Sequence, residues 1–436
     1  MKASSRHAVG ALIGGVLVTL ALLSGCALPF GAASAEATST LPPPVVEPGT
    51  VTATMPSGEV TVATEAPVTP PTVGPPTSTP VPPTPSVVPT DAPPRTGSFD
   101  VYLGAPDESG RQLLRWVDSR TGEKVTEIAI RTDDGLATRA GQYVYFYAPG
   151  TREPQRANTA GVVQPVSFAA PTPGVTYYEF LPSATGDFIA WLSVGVDRVF
   201  TIRLASADGS NARQVGGDTL LAGETVHLIR VANDGRRVFF DRRPSQITYQ
   251  TIFNPRYDLY VLDGITGQVA RLPGEPACGE ARLCDAHISS DGSVLVRTLP
   301  PSAAYQQPVV VTNLISGYPL ARFAPEGIPA GAAFEIGYPF LTPGGELIFV
   351  ESYGPPQLER FVLVWGNIVT GEQRVVAELG YDRHRPLGWA ADGVTLLTTR
   401  EPDYYDTWQI NIESGAMRQI AAMMFLGHIE QPPSVP

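Results

Sequence analysis

Two interleaved series of glycines run along most of this chain, and they limit what it can fold into more tightly than any other feature. The first series falls at Gly141, Gly186, Gly235, Gly292, Gly345 and Gly393, with gaps of 45, 49, 57, 53 and 48 residues. Three members follow Asp, as in "NDGRRVFF", "SDGSVLVRTL" and "ADGVTLLTTR", and each opens an apolar, β-prone run. The second series is Gly122, Gly161, Gly209, Gly267, Gly317, Gly371 and Gly415. In five of these an Asx residue stands four positions earlier: Asp118, Asp263, Asn313, Asn367 and Asn411. An Asx side chain bonds to backbone two residues on, and glycine accepts positive φ, so both series read as hairpin turns.

Each unit is therefore strand, Asp-Gly turn, strand, loop, strand, Asx-x3-Gly turn, strand. Four antiparallel strands in 45–57 residues make one blade of a β-propeller. The expected fold is all-β, with seven four-stranded blades counted from the second series. The first-series turn is missing only from the unit that begins at Phe99, and the C-terminal "AMMFLGHI" can supply the innermost strand that this unit lacks. Strands from both ends of the chain would then close the ring. In "SDG" at Ser290–Gly292, "LYVLDGITG" at Leu259–Gly267 and "GWAADG" with Trp389 ahead of Gly393, the chain resembles the TolB-type, WD-like propellers. It is also similar to the N-terminal propeller of dipeptidyl peptidase IV relatives. The resemblance is spread over residues 99–424 and implies architecture, not activity. TolB proteins carry an N-terminal α/β domain where this chain has a proline-rich segment, so their particular partners do not carry over.

The N-terminus reads as an export signal: Lys2, Arg6 and His7, then the apolar run "AVGALIGGVLVTLALLSG", short for a membrane span. It ends in "LSGC", Leu23–Cys26, which resembles a bacterial lipobox and implies cleavage before Cys26 and lipidation of its thiol. Two or three acyl chains hold far better than one, since each buried methylene adds ~0.8 kcal/mol. From Ala27 to about Ser98 the chain is Pro, Thr, Ser and Val, too poor in large apolar residues to offset its ordering entropy. We expect a disordered tether, able to reach roughly 200 Å at ~3.1 Å per residue. The expected division is residues 1–25 signal peptide, 26–98 lipidated cysteine and linker, 99–430 propeller and 431–436 tail.

Loss of the signal removes Lys2 and Arg6 from 30 basic residues, leaving 28 against 42 acidic ones, net −14. That charge, with no basic cluster among aromatics, argues against nucleic acid. Besides Cys26, two of the three cysteines remain, Cys278 and Cys284 in "CGEARLC". In an exported chain a close pair reads as a disulfide, worth roughly 2 kcal/mol for so short a loop. A metal site would need more ligands than the nearby His287.

Catalytic signatures are missing from the sequence: no G-x-S-x-G, H-E-x-x-H, C-x-x-C, EF-hand loop or phosphate-cradling glycine motif occurs. We therefore expect no catalytic residue, no cofactor and no metal. His227, His287 and His428 fall in or near the expected innermost strands, where side chains can face the central channel. Binding material is concentrated in two places. The insertion "DRRPSQITYQTIFNPRYD" (Asp241–Asp258) offers Arg242, Arg243, Tyr249, Phe253, Arg256 and Tyr257. "YDRHRP" and "EPDYYDTW" offer Arg383, His384, Tyr404 and Tyr405. Aromatics supply contact area and Arg supplies forked hydrogen bonds, the usual chemistry of recognition loops on a rigid scaffold.

The expected function is a non-catalytic, lipid-anchored extracytoplasmic propeller, monomeric, that binds a protein or an envelope polymer. It would sit on the cell surface, or at the outer membrane or periplasm of a host with two membranes. The alternative is an enzyme or metal-dependent site in the channel, glycan-processing or oxidative. The anchor is directly testable: Cys26→Ser should move the protein from the membrane to the soluble fraction, and continued tight membrane association would contradict lipidation.

Overall fold

A computed structural model describes Arg95 and residues 97–431. Residues 133–136, 246–252, 254–257, 273–284 and 300–306, and positions 333, 343, 356, 391 and 403, are excepted. The signal segment, Cys26, the proline-rich linker, Cys278 and Cys284 lie outside the described residues. Among those described, seven four-stranded antiparallel sheets account for nearly all regular structure, with one 3-10 turn at Ser167–Ala169. No described helix is long and apolar enough to cross a membrane.

We number the blades from the N-terminus, each strand order running inner to outer. Blade 1 is Met424–Gln431, Gly97–Leu103, Arg111–Asp118 and Lys124–Arg131. Blade 2 is Ala137–Ala140, Tyr143–Tyr147, Pro154–Ala157 and Val163–Pro165. Blade 3 is Val175–Pro182, Phe188–Gly195, Val199–Ser206 and Arg213–Thr219. Blade 4 is Glu224–Val231, Arg237–Pro244, Asp258–Asp263 and Val269–Arg271. Blade 5 is Asp285–Ile288, Val294–Thr298, Val309–Asn313 and Pro319–Phe323. Blade 6 is Phe334–Leu341, Glu346–Tyr353, Arg360–Asn367 and Gln373–Gly380. Blade 7 is Arg383–Trp389, Thr395–Glu401, Thr407–Asn411 and Met417–Ala421. Neighbouring blades touch along their first strands, blade 3 with 4, 5 with 6, 6 with 7, 7 with 1 and 1 with 2. Those strands form the wall of a central channel.

The expected closure is present: Met424–Gln431 is the inner strand of blade 1, with Phe99 opposite Ile429 and Asp100 opposite His428. Every first-series glycine sits between the first and second strands of blades 2–7, at φ between 54° and 83°. Every second-series glycine sits between the third and fourth strands, at φ between 72° and 85°. The Asx chemistry is uniform. Asp118, Asp263, Asn313, Asn367 and Asn411 each accept two backbone N–H groups through Oδ1, from the residues two and three positions on. Both turn series lie at the same end of the blades, which makes one face of the disc short and regular. The opposite face carries all the longer connections.

The core lies between blades. Leu192, Ile202 and Leu204 of blade 3 pack against Val226, Leu228 and Val238 of blade 4. Val309, Val311 and Phe323 of blade 5 pack against Leu347, Phe349 and Val362 of blade 6. At the seam Phe99, Val101 and Ile429 are buried with Trp116 of the same blade and Val144 and Phe146 of the next. Ile429 is fully buried, and truncating a buried Ile to Ala costs about 2–5 kcal/mol. Ile429→Ala should lower the unfolding free energy by that amount in chemical denaturation, whereas Ile265→Ala, exposed at a turn tip, should leave it nearly unchanged.

Candidate functional site

The loop-bearing face over blades 4–7 collects most of the side chains that the sequence singles out. Arg242 lies within the second strand of blade 4, where its guanidinium is fully engaged. It donates to both oxygens of Glu224 (2.9 and 2.6 Å), to Asp218 (2.9 Å) and to the Thr219 carbonyl (3.2 Å). It thus clamps the outer strand of blade 3 to blade 4. Arg243 is half-buried beside it, its carbonyl accepting from the Thr225 hydroxyl. Tyr249, Arg256 and Tyr257 lie outside the described residues. Phe253, from the same insertion, is buried 4.9 Å edge-on to Tyr338 and 6.4 Å from Phe361, both in blade 6. Gly337 makes room for it: a Cβ there would come 2.2 Å from the Phe253 ring. The insertion of blade 4 therefore reaches blade 6.

Tyr338 is a hub that sequence reasoning missed. It sits at φ 53° in a bulge of the inner strand of blade 6, a conformation that persists in a bulky residue only where its surroundings impose it. Its N–H donates to Asp285 (2.7 Å) and its hydroxyl to Glu401 (2.7 Å). Arg383 forms an ion pair with the same Glu401, and Tyr404 lies beside it. Burial and the neighbouring Glu401 push both phenols above their ordinary pKa, so they remain protonated donors. Phe253, Arg383 and Tyr404, remote in sequence, thus converge around Tyr338 and Glu401. His384 and Tyr405 do not join them. His384 is buried, bonded to Thr398 (3.0 Å) and edge-on to Trp408, and burial lowers its pKa. Tyr405 accepts from Gln112 of blade 1.

A cavity of about 330 Å³ occupies the channel, walled by Arg230, Asp285, His287, Tyr338, Phe340 and Arg385 among others. That volume is within the range of small-molecule sites. Four wall residues, Leu181, Arg230, His287 and Phe340, stand five positions before the first-series glycine of their own blade. The repeat register alone would have located them. The channel histidines keep separate company. His227 bonds the Tyr177 hydroxyl (2.9 Å) and His428 bonds Asp100 (2.9 Å), while His287 faces Phe340 at 5.5 Å. Among the described residues no three His, Cys, Asp or Glu side chains are grouped to hold a metal ion.

The fold defines the chain as a seven-bladed β-propeller closed by its two ends, with one elaborated face and a ligand-sized channel. No family model and no curated protein matches it. Solved structures do, at the level of fold. A prolyl endopeptidase structure aligns at 12% identity and TM-score 0.52, over 76% of this chain and 49% of that one, so the likeness spans about half of that protein. The periplasmic gluconolactonase PpgL of Pseudomonas aeruginosa aligns at 16% identity, TM-score 0.48, over 77% of this chain and 100% of its own. TolB of Acinetobacter baumannii aligns at 14% identity, TM-score 0.37, over 76% and 81%.

Glu351, in the second strand of blade 6, braces the same face. It is fully buried and accepts the N–H groups of Glu326 (3.1 Å) and Gly327 (3.0 Å) in the connection from blade 5. Burial, only partly offset by those N–H donors, raises its pKa from 4.5 to about 7. A carboxyl raised on folding binds its proton more tightly in the native state, so unfolding free energy falls as pH rises between those two values. At about 1.4 kcal/mol per unit the loss is roughly 3 kcal/mol. Glu351→Gln should remove that part of the pH dependence, read as a smaller change in denaturation midpoint between about pH 5 and about pH 8.

Proposed function

We propose that this protein is an extracytoplasmic binding module, lipid-anchored at Cys26 and held off the membrane by its proline-rich linker. Its propeller recognises a protein or envelope polymer through the loop-bearing face of blades 4–7. The observation that carries this reading is the asymmetry of the disc. One face consists of short turns built on the two glycine series, whereas the other carries the longer connections, of which those bearing Phe253 and Tyr404 meet around Tyr338 and Glu401. Rigidly supported loops that present Arg and aromatic side chains suit recognition, because little ordering entropy remains to be lost on binding. Arg243, Arg383 and Tyr404, with Tyr249, Arg256 and Tyr257, are the proposed contact residues. Arg242 and Phe253 support them from below. A disulfide between Cys278 and Cys284 would stiffen the adjoining connection between blades 4 and 5.

The test uses the full chain carrying Cys26→Ser as soluble bait on intact envelopes. A species retained by this bait should be lost when Tyr404 and Arg243 are both changed to Ala, and kept when the turn-face residues Ile315 and Val369 are changed to Ser. Retention of nothing, or equal loss with both variants, would overturn the reading.

A further inference from the structure

The channel cavity differs in kind from the loop face, and its chemistry points to a ligand of its own. Arg230, on the inner strand of blade 4, and Arg385, on that of blade 7, open onto one space. The chain is acidic overall, yet among the described residues Asp285 is the only carboxylate on this wall. Its two oxygens accept the N–H groups of Ala286 (2.7 Å) and Tyr338 (2.7 Å). Arg385 is exposed and has no carboxylate within ion-pair distance among the described residues.

His287 lies between the two arginines along the wall. Burial in the wall, reinforced by Arg230, pushes its pKa down to about 3, so the ring is neutral and offers one donor and one acceptor. Phe340 supplies an apolar surface beside it, its ring tilted 54° to the imidazole. Forked guanidinium groups, a neutral imidazole and an aromatic wall together match a small organic acid with an apolar body. Pro339 and Pro386, which have no N–H, also line the space, and no helix N-terminus reaches it. A phosphate dianion would find no helix N-terminus there among the described residues.

We propose that the channel cavity is a binding site for a small carboxylate, held by Arg230 and Arg385 and read by His287, with its apolar part against Phe340. The site is independent of the loop-face reading and stands if that reading fails.

The probe is benzoate, with benzamide as the neutral isostere and inorganic phosphate as the competing anion, at constant ionic strength. The readout is the His287 ring resonance of the full chain, assigned with His287→Gln. Benzoate should shift that resonance saturably and bind at least about tenfold more tightly than benzamide. Arg385→Gln should weaken benzoate about tenfold and Arg385→Lys less, because the exposed side chain can be changed without disturbing the fold. Three results would overturn the proposal: no saturable shift, equal affinity for benzamide, or unchanged benzoate affinity in Arg385→Gln. Tighter binding of phosphate than of benzoate would overturn the carboxylate assignment.

Discussion

Pairing of Met424–Gln431 with Gly97–Leu103 is the constraint on which the rest of this molecule depends. Seven sheets that bury apolar side chains only against their neighbours need a seventh interface as good as the other six. Without the C-terminal strand, blade 1 would present the edge of Gly97–Leu103 to the channel and uncover Phe99 and Val101. Exposed strand edges recruit other chains, and closing the ring removes the widest one. The innermost strands still turn backbone donors toward the channel. Two of these are met by carboxylates from the preceding blade, Leu228 N–H by Glu179 (3.0 Å) and Tyr338 N–H by Asp285 (2.7 Å). These acids therefore act as braces of the channel wall.

How far the sequence discloses such a structure depends on the range of the interaction. Turn chemistry is local: an Asx oxygen reaches amides two and three residues on, and a glycine at φ near 74° needs no distant partner. The blade count, the placement of both turn series and the seam were legible for that reason. Part of the channel wall was legible in principle, because Leu181, Arg230, His287 and Phe340 keep a constant offset from the turn glycines, whereas Arg385 does not. The hub on the loop face was not. Tyr338 and Glu401 are 63 residues apart, and although Glu401 opens the aromatic stretch "EPDYYDTW", nothing local joins it to Tyr338. Phe253 resembles loop material in sequence but is buried, because Gly337 on another blade leaves space for its ring. Arg242 likewise reads as an insertion residue, yet Glu224 and Asp218 bind it from the blade interface.

Loops vary freely where they touch only solvent, and the regular face of this disc leaves little room for that. Several of its glycines abut the adjoining blade: a Cβ at Gly235 would meet the Phe188 ring at 2.6 Å, and one at Gly292 would meet Phe239 at 2.9 Å, whereas Gly122, Gly317, Gly371 and Gly393 face open space. Backbone conformation and inter-blade packing thus restrict the same positions. The opposite face carries connections of very different length on the same four-stranded frame, so recognition can change there without disturbing the ring.

The seam also has a consequence in time. The three outer strands of blade 1 are the first of the propeller to leave the ribosome, and their inner partner is the last. Blades 2–7 can each assemble from a contiguous stretch as it emerges, but blade 1 must wait for almost the whole domain to be synthesised. Until then Phe99, Val101 and Trp116 remain without the strand that buries them. The slowest contact to form is therefore the one that seals the ring, and a chain interrupted near its end would expose its oldest strands.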